Sequence, residues 1–170
     1  MSSDAAPHAA VLLRPAALED LDAIATLWHD GWRDGHLGHV PEALLPYRTL
    51  PSFRARVPPR VPLTTVATLA GRLAGFVTVH DDEVEQVYVA REARGGGVAP
   101  ALLRHAERVI AGRYDVAWLA VAEGNVRARR FYERSGWRDA GGFEYAAEIV
   151  NGTLAVPCRR YEKRLERRPS

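Results

Sequence analysis

The chain of 170 residues has one cysteine, Cys158. A single thiol excludes an intramolecular disulfide and a thiolate zinc cluster, and it fits a reducing cytoplasm. Long apolar runs are missing too: none approaches the ~20 residues needed to cross a bilayer. The start, Met1-Ser2-Ser3-Asp4, lacks the basic residues and apolar stretch of a secretion signal. An excess of one charge is also absent. With 23 Lys and Arg against 21 Asp and Glu, the net charge is +2, too little to argue for nucleic-acid binding. No internal repeat is found. These absences point to a soluble, cytoplasmic protein with neither nucleic acid nor membrane as partner.

What is present is globular in kind. Hydrophobic residues make up 47 % and charged residues 26 %, which argues against disorder. The length suits one domain, expected over residues 8–166, able to bury roughly 70 % of its unfolded surface. Val11-Leu12-Leu13-Arg14 reads as a strand stopped by Pro15. Leu21, Ile24, Ala25, Trp28 and Trp32 then recur at helical spacing, with Glu19, Asp20 and Asp22 in the first turn. Gly31, Gly35 and Gly38 are expected to loosen the chain. Prolines 41, 46, 51, 58, 59 and 62 exclude one long helix. Short helices near 41–48 and 51–57 are expected instead. Leu44, Leu45, Leu50, Phe53 and Val57 argue against a domain linker there.

Thr64–Leu69 and Leu73–His80 are β-rich runs joined by Ala70-Gly71-Arg72, a hairpin signal. Glu83–Val89 is a third run, whose alternation puts Glu83, Glu85, Val87 and Val89 on one face. A helix follows over about 98–112, with Leu102, Leu103, Ala106, Val109 and Ile110 facing the core. Asp115–Val121 is the next strand. Asn125 can cap a helix running to Ser135, and Gly136 supplies a left-handed stop. Two strands, about 137–149 and 154–165, close the chain with a turn at Asn151-Gly152. The order describes a mixed α/β sheet.

Between the third strand and the following helix lies Arg94-Gly95-Gly96-Gly97-Val98-Ala99. A helix start leaves unpaired N–H groups and carries partial positive charge. Glycines permit positive φ and bring backbone close to an oxygen-rich ligand. Pro100 suits a first turn. The loop is neither a P-loop nor a dinucleotide fingerprint.

Arg94-x-x-Gly97-x-Ala99 after Val87-Tyr88-Val89 resembles the acetyl-CoA motif of the GNAT superfamily of N-acetyltransferases. Asn125-Val-Arg-Ala128-Arg-Arg-Phe131-Tyr132-Glu-Arg-Ser-Gly136-Trp137 resembles that family's second motif. The two stand in family order at family spacing. Arg91 replaces a frequent proline, and Glu92 puts an anion near the loop. The resemblance implies a single-domain, mostly antiparallel α/β sheet flanked by helices. It implies direct acetyl transfer from acetyl-CoA, as cosubstrate and without metal, to an amine. The expected acceptor is a small molecule. A protein N-terminus or lysine is the alternative, as is an acyl-CoA sensor without turnover. The sequence leaves monomer and homodimer open.

The same resemblance assigns cofactor binding to Val87, Val89, Arg94, Gly95, Gly96, Gly97, Val98, Ala99, Asn125 and Tyr132. The pyrophosphate meets the loop's N–H groups, the pantetheine arm pairs with Val87 and Val89, and the Val87 N–H faces the thioester oxygen. Tyr132 is the candidate acid. At about 100° per residue, Asn125, Ala128 and Tyr132 share one helix face, and a phenol stays protonated at pH 7. For the base, Glu83, Glu85 and a water chain remain open. His29, His36 and His39 match no zinc spacing. Trp32, His36 and His39 are the candidate acceptor residues, with His39 favoured because it precedes Val40-Pro41. The basic tail, residues 159–168, reads as a last strand and a solvated end.

Overall fold

The computed structural model describes residues 9–167. Seven strands form one sheet in the order β1-β2-β3-β4-β5-β7-β6. They are β1 (Val11–Pro15), β2 (Thr64–Leu69), β3 (Arg72–His80), β4 (Glu83–Val89), β5 (Val116–Ala122), β6 (Arg138–Ile149) and β7 (Gly152–Arg164). Every neighbouring pair is antiparallel except β4 with β5. Four helices flank the sheet: α1 (Leu21–His36), α2 (Leu50–Arg56), α3 (Val98–Ala111) and α4 (Val126–Arg134). The expected fold class is therefore present. No helix among the described residues is long and apolar enough to cross a membrane.

Each sheet face carries its own core. On one face α3 contributes Leu102, Leu103, Ala106 and Ile110, all buried against Val77, Val84 and Leu119. Val109, expected in that core, lies 49 % exposed near the end of α3. On the other face Ile24, Ala25, Trp28 and Trp32 of α1 pack on Phe76 and on Phe53 of α2. Phe53 is fully buried, 5.0 Å from the Trp28 ring centre. Removing such a side chain costs about 3–5 kcal/mol in typical cores.

Two glycines behave differently from expectation. Gly31 and Gly35 do not loosen α1, which runs through both to His36. They let it come close instead. A Cβ on Gly31 would overlap the Tyr88 ring, and one on Gly35 would sit 2.8 Å from Asn125 Nδ2. Helix propensity is given up for an approach that only hydrogen permits. Between α1 and β2 the prolines break the chain into three-residue-per-turn helical stretches, Glu42–Tyr47 and Pro58–Leu63, on either side of α2. The final hairpin turns at Val150-Asn151, one residue earlier than expected, because Ile149 pairs with Gly152.

Candidate active site

The site begins where the sheet comes apart. β4 and β5 share one paired position, Glu83 with Trp118. Beyond it the two strands diverge, and Val87, Tyr88 and Val89 face Leu119–Ala122 across a cavity of about 740 Å³. The Ala90 N–H donates to Ala74 O at 2.8 Å. By the alternation of an antiparallel ladder, the main-chain groups of Tyr88 then turn toward β3. Those of Val87 and Val89 turn toward the gap, as an unpaired strand edge inside the protein.

The glycine loop closes one end of this gap. Gly95 and Gly97 have φ of +79° and +84°, in the left-handed region that glycine adopts without strain. Gly97 is the N-cap of α3 and no side chain caps it. The first N–H groups of α3 therefore have no intrahelical partner. Arg94, Gly95, Gly97, Val98 and Ala99 border the cavity. Gly96 does not: its N–H is taken by Ala93 O at 3.2 Å. Arg94 and Arg91 donate to Asp34 of α1, at 3.2 and 2.8 Å. The family motif gave no hint of Asp34.

Across the gap stands α4. Asn125 caps it, its Oδ1 accepting from the Ala128 N–H at 3.3 Å. Asn125, Ala128 and Tyr132 all line the cavity, as the helical spacing predicts. The Tyr132 ring is wedged among Phe131, Trp137 and Tyr161, with centres 5.3 to 6.2 Å away. Burial pushes its phenol up to about 12. The group thus holds its proton throughout the neutral range.

The two glutamates are not on Val87's face. A register shift between Thr78 and Val79 pairs Thr78 with Gln86 and Val79 with Val84, leaving Glu85 as an extra residue in β4. Such a bulge resets the alternation. Val84 and Val87 both pack on the α3 side. Glu83, paired with His80, points to the opposite face, where its Oε1 accepts from the Tyr145 hydroxyl at 2.8 Å. Desolvation by burial raises the Glu83 carboxyl above its ordinary range, while Tyr145 partly offsets the shift. Glu85 is tied down, accepting from Arg60 Nε at 2.7 Å and from Gln86 Nε2 at 2.8 Å. Both glutamates line the cavity.

The candidate acceptor residues divide. Trp32 and His36 line the main cavity, their rings stacked with centres 5.0 Å apart. The His36 Nδ1 lies 2.9 Å from Trp32 O, so it carries the hydrogen and Nε2 is left as an acceptor. Burial lowers the His36 pKa to about 4, so the ring is neutral. His39 lies elsewhere. Its ring fills the space a Cβ on Gly124 would need, and it borders an adjoining groove with Arg91, Arg94 and Arg127. Among the described residues no group of three His, Cys, Asp or Glu side chains could hold a metal ion.

Sequence reasoning missed Tyr88, Tyr145, Glu148 and the arginines at 48, 56 and 60, all in the cavity wall. The three arginines come from the proline-broken segment, where only apolar residues and prolines were legible as signals.

An α/β sheet split between a bulged β4 and β5, with a glycine loop entering a helix beside the split, defines an acyl-transfer fold. The chain belongs to the acetyltransferase (GNAT) family, whose model matches residues 21–137. Solved structures share the fold. A GCN5-related N-acetyltransferase from Rhodopseudomonas palustris is 22 % identical with a TM-score of 0.71, covering 91 % of this chain and 95 % of that one. A ribosomal-protein-alanine N-acetyltransferase from Brucella melitensis is 23 % identical with a TM-score of 0.66, covering 91 % and 99 %. The PaiA N-acetyltransferase from Thermoplasma acidophilum, in complex with coenzyme A, is 16 % identical with a TM-score of 0.68, covering 91 % and 99 %. No curated protein matches the sequence.

Proposed function

We propose that the chain transfers the acetyl group of acetyl-CoA directly to an amine of a small acceptor. One observation carries this reading. The unpaired edge of β4, the uncapped start of α3 and Tyr132 all border a single cavity. The residues suit coenzyme A chemically. The free N–H groups of Gly97, Val98 and Ala99 would receive the pyrophosphate, with helix polarity favouring negative charge. Val87 and Val89 would bond the pantetheine amides as a further strand does. When bound, acetyl-CoA supplies an activated thioester.

The remaining tasks fall to this chain's side chains and main chain. The Val87 N–H is aimed where an oxyanion needs a donor. The Tyr132 hydroxyl, fully protonated at neutral pH, would give its proton to the leaving sulfur. Glu83 would collect the proton of the attacking amine, directly or through one water. Its raised pKa brings it nearer the working pH than an ordinary carboxylate. Glu85, bonded to Arg60, is already committed to an ion pair. His39, beside Arg94 and Arg127, belongs to the cofactor entrance rather than to the acceptor. A thiol-release assay with acetyl-CoA and a panel of primary amines tests the reading. Amine-dependent release, abolished in Tyr132→Phe, is expected. Tight acetyl-CoA binding with no release from any amine would instead make the protein a sensor.

A further inference from the structure

The acceptor half of the cavity holds three glutamates and three arginines whose pairing is uneven, Glu83 being bonded to the Tyr145 hydroxyl rather than to an arginine. Arg48, Arg56 and Arg60 line it, with Glu85 and Glu148 beside them. Both carboxylates bond Arg60, Glu85 at 2.7 Å and Glu148 at 3.0 Å. Arg48 is only 6 % exposed, yet its one hydrogen bond among the described residues goes to the neighbouring Tyr47 carbonyl at 3.2 Å. Arg56 approaches Glu148 no closer than 4.0 Å, and its buried Nε has no hydrogen-bond partner. Its guanidinium lies over the Trp28 ring, 4.5 Å from the centre. That contact supports the charge but leaves the N–H unbonded. Among the described residues one other buried side-chain atom lacks a partner, Gln86 Oε1, and Gln86 lines the same cavity.

Buried cations are normally paired, because an unpaired one costs several kcal/mol. Two that have no carboxylate within hydrogen-bonding distance in a ligand-sized cavity are therefore poised for an anion from outside the chain. A guanidinium's flat fork of donors matches a carboxylate. The orphaned Gln86 oxygen calls for the opposite kind of group, a hydrogen-bond donor such as an N–H. One ligand supplies both: an amine with a carboxylate on the same small skeleton. Both arginines act electrostatically on the Tyr88 phenol, which in turn senses Tyr132. Arg48, Arg56, Tyr88 and the proposed acid Tyr132 all line this one cavity.

We propose that the acceptor is an amino acid or a close relative of one, its carboxylate held by Arg48 and Arg56 and its nitrogen oriented by Gln86. The proposal rests on the acetyl-transfer reading of this cavity. The probes are the N-acetyl derivatives of L-alanine, L-methionine, L-phenylalanine and L-glutamate, each against its own α-amide. Calorimetry with the full chain, with and without coenzyme A, reads their affinities. At least one acid should bind about 30-fold or more tightly than its amide, as expected for a charge-assisted pair. Arg48→Met and Arg56→Met should each reduce that ratio below about threefold and leave the coenzyme A Kd within about twofold. Arg48→Met removes a buried charge with no carboxylate at hydrogen-bonding distance, so it should melt no lower than the parent, whereas Arg56→Met also gives up the contact with Trp28 and is read only in its folded fraction.

Equal binding of acids and amides, no binding by any acid, or a preference that survives both substitutions overturns the proposal. Thiol release with the free amino acids and their amides separates the two readings. Acid-selective binding without any release keeps the carboxylate site and removes the acetyl transfer. Release that favours the amides does the reverse.

Discussion

The cavity has two walls made in different ways. The wall assigned to the cofactor is mostly main chain: the open edge of β4, the left-handed glycines and the first turn of α3, contiguous over residues 87–99. The wall assigned to the acceptor is mostly side chains from distant segments. Glu83 meets Tyr145 from β6, and Arg60 meets both Glu85 and Glu148. Main-chain donors tolerate changes of side chain, so such a wall can serve one ligand across many sequences. A wall of side chains changes its specificity with each substitution. The difference suggests which substitutions should be severe and general, and which should be selective.

The harshest test goes to the main-chain wall. Gly97 has φ +84°, and nothing lies within 4 Å of where its Cβ would be. A side chain there is strained but not blocked, so the folded protein can be recovered. Gly97→Glu should weaken acetyl-CoA binding at least ~100-fold, about 2.7 kcal/mol, by placing an anion before the helix start. Gly97→Ala serves as the control for backbone strain, about 1 kcal/mol in melting experiments. An unchanged Kd in a folded Gly97→Glu protein would sink the loop assignment.

Tyr132 stands between the two walls. Tyr132→Phe keeps the packing against Trp137 and Tyr161 and removes only the hydroxyl. The kcat should fall by ~10²-fold with acetyl-CoA affinity unchanged. Because burial holds the phenol at about 12, no basic limb from Tyr132 should appear in the pH profile below about pH 10. A normal kcat with reduced thermal stability would make the residue a packing element.

The legibility of the sequence follows the same division. Strand–loop–helix signals are local, so the Arg94–Ala99 loop, the Asn125 cap and the Tyr132 face were visible in consecutive residues. The sheet's bulge was not, since it exists only in the register of β4 against β3. Without it, alternation placed Glu83 and Glu85 on the wrong face. Gly31 and Gly35 read as breakers because the contacts that need them, Tyr88 and Asn125, are remote in sequence. The arginines at 48, 56 and 60 gave no signal in the sequence, because only the packing of the proline-broken segment brings them to the cavity.

The glutamates sharpen the comparison with a pH profile. A base works only when ionised, so a carboxyl with a raised pKa loses activity earlier as pH falls. The acid limb of kcat/KM should lie above the ordinary carboxylate range and disappear in Glu83→Gln, with a loss of about 10-fold or more at neutral pH. The Tyr145 hydroxyl stabilises the charged form by donating to it. Tyr145→Phe should therefore move the limb to higher pH. Glu85→Gln should keep the limb and instead cost about 1–3 kcal/mol of stability by leaving Arg60 without its closest partner. Loss of the limb in Glu85→Gln would exchange the two assignments.

The smallest expected effect separates two histidines that sequence alone grouped together. His36 presents a neutral ring with Nε2 free to accept, inside the main cavity and stacked on Trp32. Its removal takes away one neutral hydrogen bond to an acceptor, about 1 kcal/mol, so His36→Ala should raise the acceptor KM by about fivefold. The acetyl-CoA Kd should stay within about twofold. His39 faces the groove that Arg91, Arg94 and Arg127 share. His39→Ala should leave the acceptor KM unchanged, and any change should appear in the acetyl-CoA Kd. Steady-state kinetics with one accepted amine, and calorimetry for the cofactor, give both numbers for each variant. A KM increase in His39→Ala without one in His36→Ala would reverse the division of the cavity, because it would place the acceptor at the entrance that the arginines line.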